Sequence, residues 1–404
     1  MVATNLRRAL LAGVLLIACT ATAAAAGPET SKCGWSADVR VCVSVPGTTL
    51  TGDVPVKVSL EGPRPFDVVF TWEDDDLLVD FQPPWEFVWP TSRYPNGSGR
   101  LGVSVKPSGG ELGEAVLLRL TLDNPARAAS PADWGSVFQP RQFSGDPVFA
   151  AVGDGGDGTK ESAEVAQSIH DSNAGLLLFL GDIYERGTPA EWDYNYGRAS
   201  FDDPAGGRNW GRLARYTKPT LGNHEAHHMD AWRDYWHQRP NWETFSWGGV
   251  RFLVLNSECT KVAHGCGPNS EQYRWAKKIL ETSPEECVVA TWHRPLMGPI
   301  AYETMTDLWK LLAHNGGDLV LNGHQHDMQE YQPVNGMVQL ISGGGGHIPH
   351  DDPMPWPGVW QASGVPGALY VRVSGSALHW EFRDTSGQVV TNPDGTPGTG
   401  SVSC

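Results

Sequence analysis

Leu176-Leu177-Leu178-Phe179-Leu180 runs straight into Gly181-Asp182. Five apolar residues without polar alternation read as a strand buried on both faces, as in a sheet covered by helices, with a carboxylate at its end. The construction recurs on either side. Val148-Phe149-Ala150-Ala151-Val152 precedes GDGGDG (153–158), KPTL (218–221) precedes GNHE (222–225), CVVAT (287–291) precedes Trp292-His293, and DLVLN (318–322) precedes GHQH (323–326). In an open α/β sheet the carboxyl ends of the strands gather along one edge, where ligands bind. Five such ends therefore bring Asp154, Asp182, Asn223, His224, His293, His324 and His326 toward one cleft.

Between these runs lie stretches of helical period: KESAEVAQSIHDSN (160–173), SEQYRWAKKILETS (270–283) and ETMTDLWKLLAHN (303–315). TFSWGGVRFLVL (244–255) reads as a hairpin, and MVQLIS, ALYVRV and ALHWEF add further strands. The expectation is an α/β domain over 148–385. Before it, from Cys33 to about Asn124, come seven short strand-like runs separated by PG, GP, PNG and GG turns, which suggest an all-β, immunoglobulin-like sandwich over 27–125. That sandwich shows no catalytic constellation. It is expected as a packing or spacer domain, the alternative being a carbohydrate- or wall-binding module using Trp72, Trp85 and Trp89. Residues 126–147 lack periodicity and read as a linker, and 386–404 as a Gly/Pro/Thr tail, loose unless Cys404 ties it down.

Composition narrows the function. With 30 Lys+Arg against 46 Asp+Glu the formal charge is −16, which disfavours nonspecific binding of nucleic acid or of an anionic membrane surface. Residues 1–26 read as an export signal, with Arg7-Arg8, an apolar run to Ala18 and small residues to Ala26. The apolar run is too short for a membrane span. Leu16-Ile17-Ala18-Cys19 also fits a lipobox, so a lipid anchor or cell-wall association stays open beside secretion. Six cysteines remain without Cys19, an even number consistent with disulfides in an exported chain. Cys33 with Cys42 and Cys259 with Cys266 are the preferred local pairs, leaving Cys287 for Cys404, one of fifteen possible connectivities.

The ligand set holds carboxylates, an amide and imidazoles without a thiolate, which suits a pair of borderline-hard cations. A carboxylate can bridge two cations about 3.5–4 Å apart, and water held between them becomes a nucleophile at neutral pH. His224-Glu225-Ala226-His227-His228 also matches the H-E-x-x-H zincin signature. A zincin needs both histidines on one helix face, whereas His224 directly follows a strand and Gly222-Asn223. A lone GD is usually a turn, and Asp157 is expected as a loop residue. His227, His228, His264, His350 and His379 are expected as surface or packed histidines. His347 stands apart, because SGGGGH (342–347) follows a strand and could bring an imidazole to the cleft mouth.

With its blocks GD, GD, GNHE, H and GHxH in order over about residues 147–383, the chain resembles the calcineurin-like metallophosphoesterase superfamily, and within it the purple-acid-phosphatase-like and bacterial secreted branches. The resemblance implies a four-layer α/β/β/α sandwich and two metal ions drawn from Fe, Zn, Mn or Mg. It puts Asp154 and His326 on the first metal, Asn223, His293 and His324 on the second, and Asp182 as the bridge. His224 would contact the phosphoryl group and assist the leaving group, with Glu225 orienting it. Purple acid phosphatases place a Tyr ligand three residues after the bridging Asp; Tyr184 stands two after, so its place on the first metal, and with it ferric iron, stays open. The implied activity is hydrolysis of a small phosphate ester, a phosphomonoester by preference. A phosphodiesterase or nucleotidase, or a binding protein on the same scaffold, are the alternatives. Trp192, Tyr194, Trp232 and Arg233 are expected on the cleft rim.

Overall fold

The computed structural model describes residues 29–73, 75–126, 138–142, 144–197, 210–237, 239–298, 300–347 and 359–404. The export signal, Cys19, His350 and much of the 126–147 linker lie outside the described residues.

Among the described residues nine strands build the N-terminal part: β1 (Thr30–Ser36), β2 (Val39–Val45), β3 (Thr49–Leu50), β4 (Asp53–Glu61), β5 (Asp67–Trp72), β6 (Asp75–Asp80), β7 (Glu86–Pro90), β8 (Gly97–Lys106) and β9 (Val116–Leu122). They form two sheets, β1-β2-β4-β7 and β3-β9-β8-β5-β6. The short β3 pairs parallel to β9 while its neighbours are antiparallel, so the chain changes sheets early, as immunoglobulin-like sandwiches do. Alternation places Val39, Val41, Val43 and Val45 inside and Arg40 out. Trp72, Trp85 and Trp89 are buried in this core, at most 9% exposed.

Among the described residues the α/β part has thirteen strands: β10 (Val148–Val152), β11 (Leu176–Phe179), β12 (Thr217–Pro219), β13 (Glu243–Trp247), β14 (Val250–Val254), β15 (Cys287–Thr291), β16 (Leu319–Asn322), β17 (Asp327–Glu330), β18 (Val338–Ser342), β19 (Trp360–Ser363), β20 (Gly367–Val373), β21 (Ala377–Asp384) and β22 (Thr399–Ser403). Its helices are α1 (Lys160–Asp171), α2 (Pro189–Glu191), α3 (Met229–Tyr235), α4 (Glu271–Leu280) and α5 (Thr306–His314). The strands form two mixed sheets, β12-β11-β10-β20-β21-β22 and β13-β14-β15-β16-β18-β17-β19. Phe149, Ala151, Leu176 and Leu178 of the first sheet face Phe252, Val289, Leu321 and Leu340 of the second. Alternate residues on the outer faces pack elsewhere: Ala150, Val152 and Leu177 against Val165 and Ile169 of α1, Val288, Ala290 and Val320 against Ala276 of α4 and Leu308 of α5. The result is the expected helix, sheet, sheet, helix order, and it explains why these strands read as unbroken apolar runs.

Gly248 and Gly249, both with positive φ, make the two-residue turn of the β13–β14 hairpin. The 386–404 segment is anchored: β22 hydrogen-bonds along β21, and Cys404 is bonded to Cys287. Cys33–Cys42 and Cys259–Cys266 are the other two disulfides. No helix among the described residues is long and apolar enough to cross a membrane.

Sandwich and α/β part are packed together. Ala190 and Tyr194 join the sandwich core, the Tyr194 hydroxyl donates to Asp80 at 3.2 Å, and Arg93 pairs with Asp193 at 3.2 Å. Trp192 and Trp232, expected on the cleft rim, are interior residues with exposures of 0% and 1%; both join the core packed around α1 and α3, where Trp192 stacks on Tyr235 at 4.5 Å. Tyr194 is likewise buried, and Arg233 instead pairs with the exposed Asp230.

Candidate metal centre

Asp154, Asp182, Asn223, His293 and His324 sit where β10, β11, β12, β15 and β16 end. Three of them, Asp154, Asp182 and His324, have φ values of 61°, 74° and 72°, a left-handed conformation that costs a non-glycine residue about 1–3 kcal/mol. The glycines just before them permit close approach: a Cβ on Gly181 would lie 2.7 Å from His293 Nδ1, and one on Gly323 would lie 2.6 Å from Asp154 Oδ2. The glycines of Gly181-Asp182 and Gly323-His324 are thus required by the convergence of the side chains.

His293 Nδ1 faces the carbonyl of Leu180 at 2.8 Å, which fixes Nδ1 as the protonated nitrogen and turns Nε2 inward. Within reach of that Nε2 are Asp182 Oδ2 at 3.0 Å, Asn223 Oδ1 at 3.1 Å and His324 Nδ1 at 3.2 Å. Asp182, His293 and His324 present three ligand atoms mutually within 4.8 Å. On the other side of Asp182 Oδ2 is the Tyr184 hydroxyl, 3.5 Å away, itself 3.1 Å from Asp154 Oδ1 and 2.8 Å from His326 Nε2. His326 Nε2 is 3.7 Å from Asp154 Oδ1. Asp182 therefore stands between an amide–imidazole group and a carboxylate–phenol–imidazole group, and Tyr184 reaches the latter despite its early position.

The donor set fits cations. Two buried carboxylates share the cluster, and burial pushes Asp154 up to about 7. Burial also works against the charge of Asp182, but His293 beside it holds that carboxyl well below the usual range. His324 is pulled down to about 2 by burial and by His293, so its ring is neutral and offers a lone pair. Carboxylate, amide and imidazole donor atoms converge here, with His293 held by the Leu180 carbonyl and Asp154 by the His324 amide, and form a cradle that metal cations would complete.

His224 lies at the edge of the cluster. Its Nδ1 is 2.5 Å from the carbonyl of Glu185, leaving Nε2 toward Asp182 Oδ2, 3.8 Å away. Glu225 does not orient this ring: fully buried, its Oε2 accepts the amide of Asp182 at 3.1 Å. The short turn 225–227 ends before His228, whose φ of −125° breaks the helix ahead of α3, so His224 and His228 of the H-E-x-x-H pattern do not share one helix face.

Several residues at the site had no signal in the sequence. Tyr302 Oη is 2.7 Å from His324 Nε2, Arg294 hydrogen-bonds the Tyr302 hydroxyl, and its Nε donates to Glu258 Oε1 at 2.6 Å. Arg294 directly follows His293, which could have suggested a cation at the cleft; Tyr302 arrives on a loop whose path nothing in the residue pattern foretells. A separate cleft of about 870 Å³ lies between the sandwich and α3, lined by Trp72, Asp76, Arg93, His228 and Asp234, and contains none of the cluster residues.

Residues 147–328 match the family of calcineurin-like phosphoesterases. This part of the chain belongs to that family. Among solved structures, a purple acid phosphatase, PPD1 from yellow lupin (Lupinus luteus) seeds, aligns over 90% of this chain and 79% of its own with 14% identity and a TM-score of 0.50. GAP50, described as the anchor in the inner membrane complex of Plasmodium, aligns over 64% of this chain and 89% of its own, again with 14% identity and a TM-score of 0.50. A dimetal phosphatase from Danio rerio aligns over 64% of this chain and 99% of its own with 11% identity and a TM-score of 0.42. At these identities the likeness is one of fold. No curated protein sequence matches the chain.

Proposed function

We propose that the protein is an exported phosphoesterase with two metal ions, acting on a small phosphate ester, a phosphomonoester by preference. What carries this reading is the placement of Asp182 Oδ2 between His293 Nε2 at 3.0 Å and the Tyr184 hydroxyl at 3.5 Å, where one carboxylate can serve two cations. Asp154, His326 and Tyr184 would hold the first ion, and Asn223, His293 and His324 the second. Bound there, the ions would supply positive charge to the phosphoryl oxygens and a nucleophile at neutral pH. Glu185 O orients the His224 ring so that Nε2 faces the reacting group and can pass a proton to the departing alkoxide. The three disulfides support an oxidising, extracytoplasmic location.

The test is elemental analysis of the purified protein with a visible spectrum and assays on a phosphomonoester and a phosphodiester. Two metals with faster monoester turnover support the reading; a tyrosinate-to-iron band would add Tyr184 to the first ion. Faster turnover of the diester would move the substrate class to phosphodiesters. The fold also serves a protein described as an anchor, so a non-catalytic role is the second reading, and it expects no turnover.

A further inference from the structure

His347 is packed into the site as tightly as the cluster residues. Its ring stacks on Tyr184 with centroids 3.6 Å apart and planes 10° apart, and lies edge-on to His326 at 5.0 Å. Its Nδ1 faces Asp157 Oδ2 at 3.0 Å, while Asp157 Oδ1 is held by the amide and hydroxyl of Thr159 at 2.9 and 2.7 Å. Asp157 lies on the loop between β10 and α1, as its GD context suggests, and is there a buried carboxylate that orients His347. The glycine run before His347 has a matching reason. A Cβ on Gly345 would lie 2.6 Å from the Gly155 amide, and Gly346 has a φ of 109° against the first turn of α1, so only glycine threads this gap. The His347 amide then donates to the Asp154 carbonyl at 3.1 Å.

From the sandwich, Phe81 packs edge-on against the outer side of the His347 ring at 5.5 Å, and Gln82 beside it donates to Glu161 at 3.0 Å. Asp157, Tyr184 and Phe81 thus fix the ring from three directions, and no described residue takes its Nε2. The His347 ligand atoms do not join the metal-type grouping of Asp182, His293 and His324.

We infer that His347 is a substrate-contacting residue, its Nε2 hydrogen-bonding an oxygen of the phosphate ester on the Asp154–His326 side of the cleft. Asp157 and Phe81 are its positioning residues, and through Phe81 the N-terminal sandwich forms part of the active-site wall. The inference rests on the phosphoesterase reading of the same cleft. An imidazole oriented by a carboxylate through one nitrogen presents the other in a fixed direction, the arrangement a hydrogen bond to a charged substrate needs.

The experiment compares wild-type protein with His347→Ala, Asp157→Ala and the double variant, measuring metal content, kcat/KM on an aryl phosphomonoester and calorimetric binding of inorganic phosphate. His347→Ala should keep both metals, lose about 10–100-fold in kcat/KM and bind phosphate about tenfold more weakly, the scale of one hydrogen bond to a charged group. Asp157→Ala should act in the same direction, since the ring loses the partner that sets its direction, and the double variant should be no worse than His347→Ala alone. Unchanged phosphate binding and turnover with both metals present would overturn the inference, and so would loss of metal from His347→Ala. If the wild-type protein turns over no phosphate ester, the phosphoesterase reading fails on its own, and phosphate binding still decides the role of His347.

Discussion

Glu225 supports Asp182 from below: its Oε2 accepts the Asp182 backbone amide at 3.1 Å, at the residue whose φ is 74°. Burial, and then the charge of Asp182, push the Glu225 carboxyl well above its ordinary range. Glu225→Gln, uncharged and of the same shape, should retain metal content and thermal stability. Glu225→Ala leaves the amide of Asp182 without its acceptor and should cost about 1–3 kcal/mol together with a loss of bound metal. Equal behaviour of the two variants in thermal unfolding and elemental analysis would show that this bond does not hold Asp182.

Asp318 gives the fold a pH dependence away from the site. It is 7% exposed, accepts the Val288 amide at 2.8 Å, and is pushed up to about 6 by burial. The folded carboxyl keeps its proton to higher pH than the unfolded one, whose ordinary value is 3.8. Its contribution is therefore fully present below about pH 4 and is lost as pH rises through about 6. Asp318→Asn, which retains an acceptor for Val288, should leave stability unchanged at pH 4 and raise it by about 1–2 kcal/mol at pH 7.5, after discounting for residual contact with water. Urea midpoints at the two pH values check this, and a difference that does not change with pH would refute it.

The sequence speaks most clearly where physics acts locally. Apolar runs with no alternation require burial on both faces, so β10, β11, β15 and β16 and the side chains after them are legible, and so is the helix, sheet, sheet, helix layering. Missed elements have weak local patterns: β1 reads TSKCGWS, exposed on most of its length, and β3 has two residues. Aromatic residues mislead in a systematic way. Trp192 and Trp232 lie near the site in the chain, yet their size draws them into the interior. Contacts made across the fold leave no trace in spacing at all. Glu225 bonding Asp182, Tyr302 bonding His324 and Asp157 bonding His347 depend on where loops come to rest.

His224 is placed to act on the substrate rather than on the ions, since Nδ1 is committed to the Glu185 carbonyl and Nε2 stays 3.8 Å from Asp182. His224→Ala should therefore keep the metal content of the wild type while lowering turnover by about 10²–10⁴, most for esters with poor leaving groups. Assays across a series of leaving groups test this directly, and a uniform loss across the series would assign His224 to binding instead.

Tyr302 decides which way the His324 ring faces. Its hydroxyl is 2.7 Å from Nε2, which leaves Nδ1 turned toward His293 Nε2 at 3.2 Å, and Arg294, anchored to Glu258, holds the hydroxyl in turn. Removing the hydroxyl frees the ring to rotate without emptying space around it. Tyr302→Phe should thus preserve the fold but weaken the Asn223–His293–His324 site by about 10–100-fold, the usual effect of losing a partner behind a metal-binding histidine. Dialysis against graded chelator followed by elemental analysis should show one metal leaving early and the other retained. If both metals stay to the wild-type chelator concentration, packing alone orients His324, and Arg294 and Tyr302 are then free to serve the substrate rather than the ion.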